Sequence, residues 1–142
     1  MGAIAMSPSA AQVVGNIFQG KILVVDDDAK DLEAYSSCLR QEGYEVRALL
    51  SYAEGLSCLR SERFDLVMVS QGSRRFEGRD ILERAIETDR RTPVFVLARC
   101  VDMRCYVDAM HLGARDYIEK PLSTTQLLRL VKNHLRFQAL AT

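Results

Sequence analysis

The sequence has no net charge to offer. Lysine and arginine number 19, and so do aspartate and glutamate, so no overall field favours nucleic acid or an anionic membrane as a partner. It has no apolar run near the ~20 residues that span a bilayer. No charged residue precedes Lys21, so the opening stretch MGAIAMSPSAAQVVGNIFQG lacks the basic start of a signal peptide. Together these absences lead us to expect a cytoplasmic protein, with residues 1–20 read as a flexible leader. Cys38, Cys58, Cys100 and Cys105 include no Cys-x-x-Cys pair, and His111 and His134 have no partners at metal-binding spacing. The thiols therefore read as buried and free. No repeat, low-complexity tract or linker interrupts the chain from Lys21 to about Arg136.

What is there fits one domain. The 142 residues are 48% hydrophobic and 27% charged, a balance that builds a single soluble core. Five short apolar segments alternate with five helical patterns. KILVV (Lys21–Val25), YEVRALL (Tyr44–Leu50), LVMVS (Leu66–Ser70), TPVFVLA (Thr92–Ala98) and DYIEK (Asp116–Lys120) read as strands. Helices are expected over about Lys30–Gln41, Ser51–Glu62, Arg79–Asp89 and Asp102–Leu112, with a last one capped by Ser123 or Thr124. Gly43 and Gly113 stand where two of them should stop. Strict alternation of strand and helix implies a parallel sheet with right-handed crossovers and helices on both faces.

In such a sheet, chemistry gathers beyond the carboxyl ends of the strands. The first strand delivers Asp26, Asp27 and Asp28 there, the third delivers Ser70, and the fifth delivers Lys120 followed by Pro121. Crowded carboxylates call for a cation, either a hard metal ion or a lysine of the protein itself.

With these residues in place, the chain from Lys21 to about Arg136 resembles the receiver domain of bacterial response regulators. The resemblance rests on ILVVDDD, GYEV, FDLVMVS, Gly78, TPVFVLA and GARDYIEKPL. It implies a flavodoxin-like α/β fold, a doubly wound (βα)5 sandwich whose parallel five-stranded sheet has the order 2-1-3-4-5. It also implies a place in two-component or phosphorelay signalling, with the domain covering residues 21–138. In that family two acids after the first strand hold Mg²⁺, and an Asp ending the third strand accepts a phosphoryl group from a histidine kinase. A Ser or Thr after the fourth strand and an aromatic residue in the fifth relay the change, and a Lys touches the phosphoryl oxygens. By position the acid pair is Asp26 and Asp27, the Lys is Lys120 and the aromatic is Tyr117. The acceptor position, however, holds Ser70, the relay hydroxyl position holds Ala98, and the usual Pro-Gly of the following loop is Arg74 and Arg75.

A serine hydroxyl is protonated at neutral pH and needs a base to attack. With one anionic ligand fewer, Mg²⁺ should bind weakly if at all, and no cofactor is required. Ala98 cannot bond a phosphoryl oxygen. The expectation is therefore a non-enzymatic module that acts through protein contacts and not through an aspartyl phosphate. Arg74 and Arg75 read as solvated, the alternative being that one of them, or Lys120, pairs with the acids as a built-in cation. The resemblance implies that partners, a fused output domain or a second copy would use the fourth helix, fifth strand and fifth helix. That face carries Arg104, Met110, His111, Tyr117, Arg129, Lys132 and Arg136, with Leu128, Leu130 and Phe137 as added apolar surface. Two rival readings also fit parts of the sequence. One is a conventional receiver phosphorylated on another carboxylate such as Asp28, Asp65 or Glu77. The other is a haloacid-dehalogenase-like phosphatase with Asp26 as nucleophile and Asp28 as general acid. A nucleotide-binding flavodoxin relative fails for want of a glycine-rich cradle.

Overall fold

A computed structural model describes residues 19–141, the side chains of residues 136–141 excepted. Most of the segment read as a leader, and the side chains of Arg136 and Phe137, lie outside the described residues. The chain alternates β1 (Lys21–Val25), α1 (Ala29–Gln41), β2 (Glu45–Leu49), α2 (Tyr52–Ser61) and β3 (Leu66–Ser70). It continues through α3 (Arg79–Thr88), β4 (Val94–Ala98), α4 (Met103–Leu112), β5 (Asp116–Glu119) and α5 (Thr124–Ala141). All strands pair in parallel, in the order β2-β1-β3-β4-β5. This is the expected 2-1-3-4-5 sheet.

The period of two along each strand divides the core in two. Leu23, Val25, Val67, Val69, Val94 and Val96 pack under α2, α3 and α4, against Cys58, Ile81 and Ala109. Ile22, Val24, Leu66, Met68, Phe95 and Leu97 face α1 and α5, against Leu39, Leu127 and Val131. The pairs Ile22–Leu66 and Val67–Val94 hold that register. A one-residue slip would carry every side chain to the opposite face, and each buried aliphatic is worth about 1.5–3 kcal/mol.

Local signals set the helix ends. Asp28, Ser51 and Asp102 cap α1, α2 and α4 by accepting the N–H of Asp31, Glu54 and Cys105. Ser123 and Gln126 bond each other's backbone N–H at the start of α5, a reciprocal capping box. Gly43 and Gly113 take positive φ (103° and 107°) just past α1 and α4.

The thiols need one correction. Cys58 and Cys105 are buried and Cys38 is half-buried, but Cys100 is exposed. It sits past the end of β4, where the chain has left the core. Burial pushes the Cys105 thiol up to about 11, so it stays protonated and unreactive.

Candidate functional site

The carboxyl ends of β1, β3 and β5 meet as the sequence implies. Asp26, the residue after β1, is buried, and so is Lys120 after β5. The Lys120 ammonium donates to Asp26 Oδ1 at 3.0 Å and lies 2.8 Å from Oδ2, the latter an ion-pair contact without hydrogen-bond alignment. It also donates to Asp31 Oδ2 at 3.0 Å and approaches Ser70 Oγ at 3.4 Å. Burial pushes the Asp26 carboxyl upward, with Lys120 pulling the other way. For Lys120, burial acts downward, but the carboxylates of Asp26 and Asp31 outweigh it and hold the ammonium above its ordinary value. The lysine is charged at neutral pH.

A second cation completes the cluster. Arg99, one residue past β4, donates to Asp28 Oδ2 at 2.9 Å and to Asp31 Oδ2. Asp28 thereby works twice, since its Oδ1 caps α1. Its carboxyl is held below the usual range, first by the Asp31 backbone N–H and, less strongly, by Arg99. A carboxyl held in its ionised form is a poor general acid, which counts against the phosphatase reading.

Asp27 faces solvent, and the Ser70 hydroxyl reaches its Oδ1 at 3.5 Å. Ala98 is fully buried opposite Glu119. Tyr117 is half-buried, its hydroxyl donating to Gln71 Oε1 and accepting from the Asp102 N–H. The β3–α3 loop folds back tightly on the strand. A Cβ at Gly78 would stand 2.3 Å from the Ser70 carbonyl oxygen, so this position admits only glycine.

Arg74 and Arg75 are not brought to the acids. The Arg74 guanidinium lies 3.7 Å from Asp102 with its side chain 86% exposed, and Arg75 is exposed. The reason is local: Phe76 dives into the core beneath α2 to α4, which leaves the two residues before it facing water. The built-in cations are Lys120 and Arg99. Asp31, Arg99 and Gln71 join these strand ends, and sequence reasoning missed them. For the first two, the available signal was an acid three residues after an N-cap Asp and a base directly past a strand end.

The donor set does not fit a resident Mg²⁺. Among the described residues no three His, Cys, Asp or Glu side chains group as a metal site. Among the described residues, the one buried side-chain oxygen lacking a hydrogen bond, Asp26 Oδ2, already faces the Lys120 ammonium. Ser70 adds a neutral hydroxyl where a third anion would help a small, strongly hydrated cation.

The expected interaction face is also revised in part. Leu128 and Leu130 are half-buried against the α1–α5 side of the core. Among the described residues, the exposed large apolar residues other than Leu50, which follows β2, stand on α4 and just before it: Val101, Met103, Tyr106, Val107 and Met110. Four of these share one helical stripe at i, i+3, i+4 and i+7.

A sequence profile of the response regulator receiver domain matches residues 22–132. The chain belongs to that family. The receiver is 30% identical over 118 residues to the uncharacterized transcriptional regulatory protein YkoG of Bacillus subtilis, covering 83% of this chain and 52% of YkoG. It is 33% identical over 116 residues to the DNA-binding response regulator MtrA of Mycobacterium tuberculosis, covering 82% of this chain and 50% of MtrA. It thus spans about half the length of these curated relatives. Among solved structures, a CheY-like receiver domain protein from Methanospirillum hungatei superposes with a TM-score of 0.80 at 30% identity, over 86% of this chain and 98% of that one. No helix among the described residues of this receiver is long and apolar enough to cross a membrane.

Proposed function

We propose that this receiver domain acts in two-component or phosphorelay signalling without an aspartyl phosphate, as a protein-interaction or regulatory module. The observation that carries the reading is Ser70, a neutral hydroxyl ending β3, beside a lysine whose charge is already matched by Asp26 and Asp31. An acyl phosphate needs an ionised carboxylate to form and a good leaving group to decay. A hydroxyl supplies neither without a general base, and the nearest carboxylate, Asp27, stands 3.5 Å away at the outer limit of contact. The other carboxylates are committed. Asp28 caps α1 and holds Arg99, Asp65 accepts the Lys21 N–H at the opposite edge of the sheet, and Glu77 binds Ser73. Ala98 offers no hydroxyl to a phosphoryl group, so nothing differential would draw the β4–α4 loop inward. No cofactor is required, and Mg²⁺ would bind weakly and through water.

The partner face is α4, β5 and α5. Its apolar stripe on α4 supports a protein partner, a fused output domain or a second copy. The matched region covers only about half of relatives named as a transcriptional regulatory protein and a DNA-binding response regulator, which supports an output domain in the whole protein.

The test is direct. The purified domain is incubated with a small phosphodonor such as acetyl phosphate and with Mg²⁺, and the intact mass is recorded. No change is expected. An alkali-labile gain of one phosphoryl group would overturn the proposal.

A further inference from the structure

Gln71 follows β3 directly and is fully buried. Its side-chain amide bonds in three directions. Nε2 donates to the Ser73 carbonyl at 3.3 Å within its own loop and to the Cys100 carbonyl at 3.2 Å in the β4–α4 loop. Oε1 accepts from the Tyr117 hydroxyl on β5. That same hydroxyl oxygen accepts the Asp102 backbone N–H at 3.0 Å. Asp102 is the N-cap of α4, its side chain accepting the Cys105 N–H at 3.0 Å. The Tyr117 ring also meets Tyr106 of α4 edge-on, with centroids 5.5 Å apart.

One amide thus ties together the β3–α3 loop, the β4–α4 loop and β5, and through a tyrosine hydroxyl it reaches the first turn of α4. Turning Tyr117 out to solvent would leave the Gln71 oxygen and the Asp102 N–H without these partners, and a buried polar group stripped of its partner is costly. Nothing in this chain of bonds involves a metal or a phosphoryl group.

We propose that Gln71 is a positioning residue that holds Tyr117 in its packed place and thereby fixes the first turn of α4, with no phosphoryl group on β3. The proposal rests on the phosphorylation-independent reading above and names the residue that takes over the coupling between the strand ends and α4.

Amide hydrogen exchange, read residue by residue on the full chain by NMR, tests it. In Gln71→Met, the Asp102 and Cys105 amides should exchange about tenfold faster relative to the core amides of Val69 and Val96. Tyr117→Phe, which keeps the ring and removes only the hydroxyl, should give the same local rise. The double variant should do no more than either single one, because both cut one linkage. A rise spread evenly over core and α4, no rise, or two independent effects that add would overturn the assignment. Phosphoryl uptake by the unaltered protein would sink the earlier reading while leaving the exchange pattern of the variants as it is, so the two failures are distinguishable.

Discussion

Removing the Lys120 ammonium should expose how the buried acid is held. Lys120→Met keeps most of the volume and leaves Asp26, whose side chain is 1% exposed, facing an apolar thioether. Asp31 retains Arg99 and partial solvation, so the penalty falls on Asp26. Breaking a buried ion pair from one side costs about 3–5 kcal/mol, because the remaining charge is uncompensated. The sign with pH follows from the direction of the Asp26 shift. Burial already raises its carboxyl above the ordinary 3.8, and loss of Lys120 raises it further. A folded state that binds the proton more tightly than the unfolded one loses stability as pH rises through that window. The variant should therefore approach the parent below the ordinary carboxylate range and fall steadily behind on the way to neutrality. Urea unfolding followed by far-UV circular dichroism at several pH values measures both, with the slope m checking that the unfolded state is unchanged. The double variant Asp26→Asn with Lys120→Met should recover most of the loss at pH 7. A single-variant cost under about 1 kcal/mol, in the range of an exposed ion pair, would refute the reasoning. So would a double variant no better than the single one.

Other expectations follow from the same geometry. Because its carboxylates raise Lys120, its contribution is complete below the ordinary lysine value of 10.5 and is lost as pH climbs through the raised one; an alkaline unfolding titration should show this step in the parent and not in Lys120→Met. Ser70→Asp puts a carboxylate in place of a hydroxyl that lies 3.4 Å from that ammonium, so Mg²⁺ should raise the melting temperature of this variant clearly more than that of the parent, and equal shifts would count against the ligand argument. Gly113→Ala places a Cβ at φ 107° and should cost about 1–2 kcal/mol in urea unfolding; a neutral result would mean that the end of α4 relaxes.

The fold was legible because β1, β3 and β4 read as apolar runs and four of the five helices carry a side-chain cap or a glycine stop. Lys21–Val25 lies where the sequence places it, and Ser51 and Gly113 mark the ends they were expected to mark. The triad of strand ends was legible too, since Asp26, Ser70 and Lys120 follow from topology alone. The identity of the second cation was not. Arg74 and Arg75 outnumber Arg99 in the loops near the acids, and only the burial of Phe76 decides that they turn away. Asp31 was hidden for a related reason: in sequence it is an ordinary first-turn acid, and its contact with Lys120 spans 89 residues. Gln71 passed as a loop residue because polarity suggests exposure, whereas a satisfied amide can be fully buried. For the exposed apolar surface, residue type misled. Leu128 and Leu130 are more apolar than Met103 or Tyr106, yet the angular position of each on its helix sets what water sees.

A switch requires two arrangements of comparable free energy and a ligand that binds one of them better. At these strand ends, both sets of polar groups have already found partners within the chain. Lys120 and Arg99 pair with Asp26, Asp28 and Asp31 on one side, while Gln71 and Tyr117 close the other side onto the α4 cap. If separating Lys120 from Asp26 alone costs about 3 kcal/mol, any arrangement that needs the lysine elsewhere is disfavoured about a hundredfold before a ligand arrives. A phosphoryl group bound to a carboxylate could repay such a bias with several charge-assisted bonds, and at the end of β3 Ser70 offers a hydroxyl in place of that carboxylate. The proposed reading is then of a receiver whose α4 surface is set by its own side chains. Regulation would then act on whether a partner reaches that surface, not on the shape the surface takes.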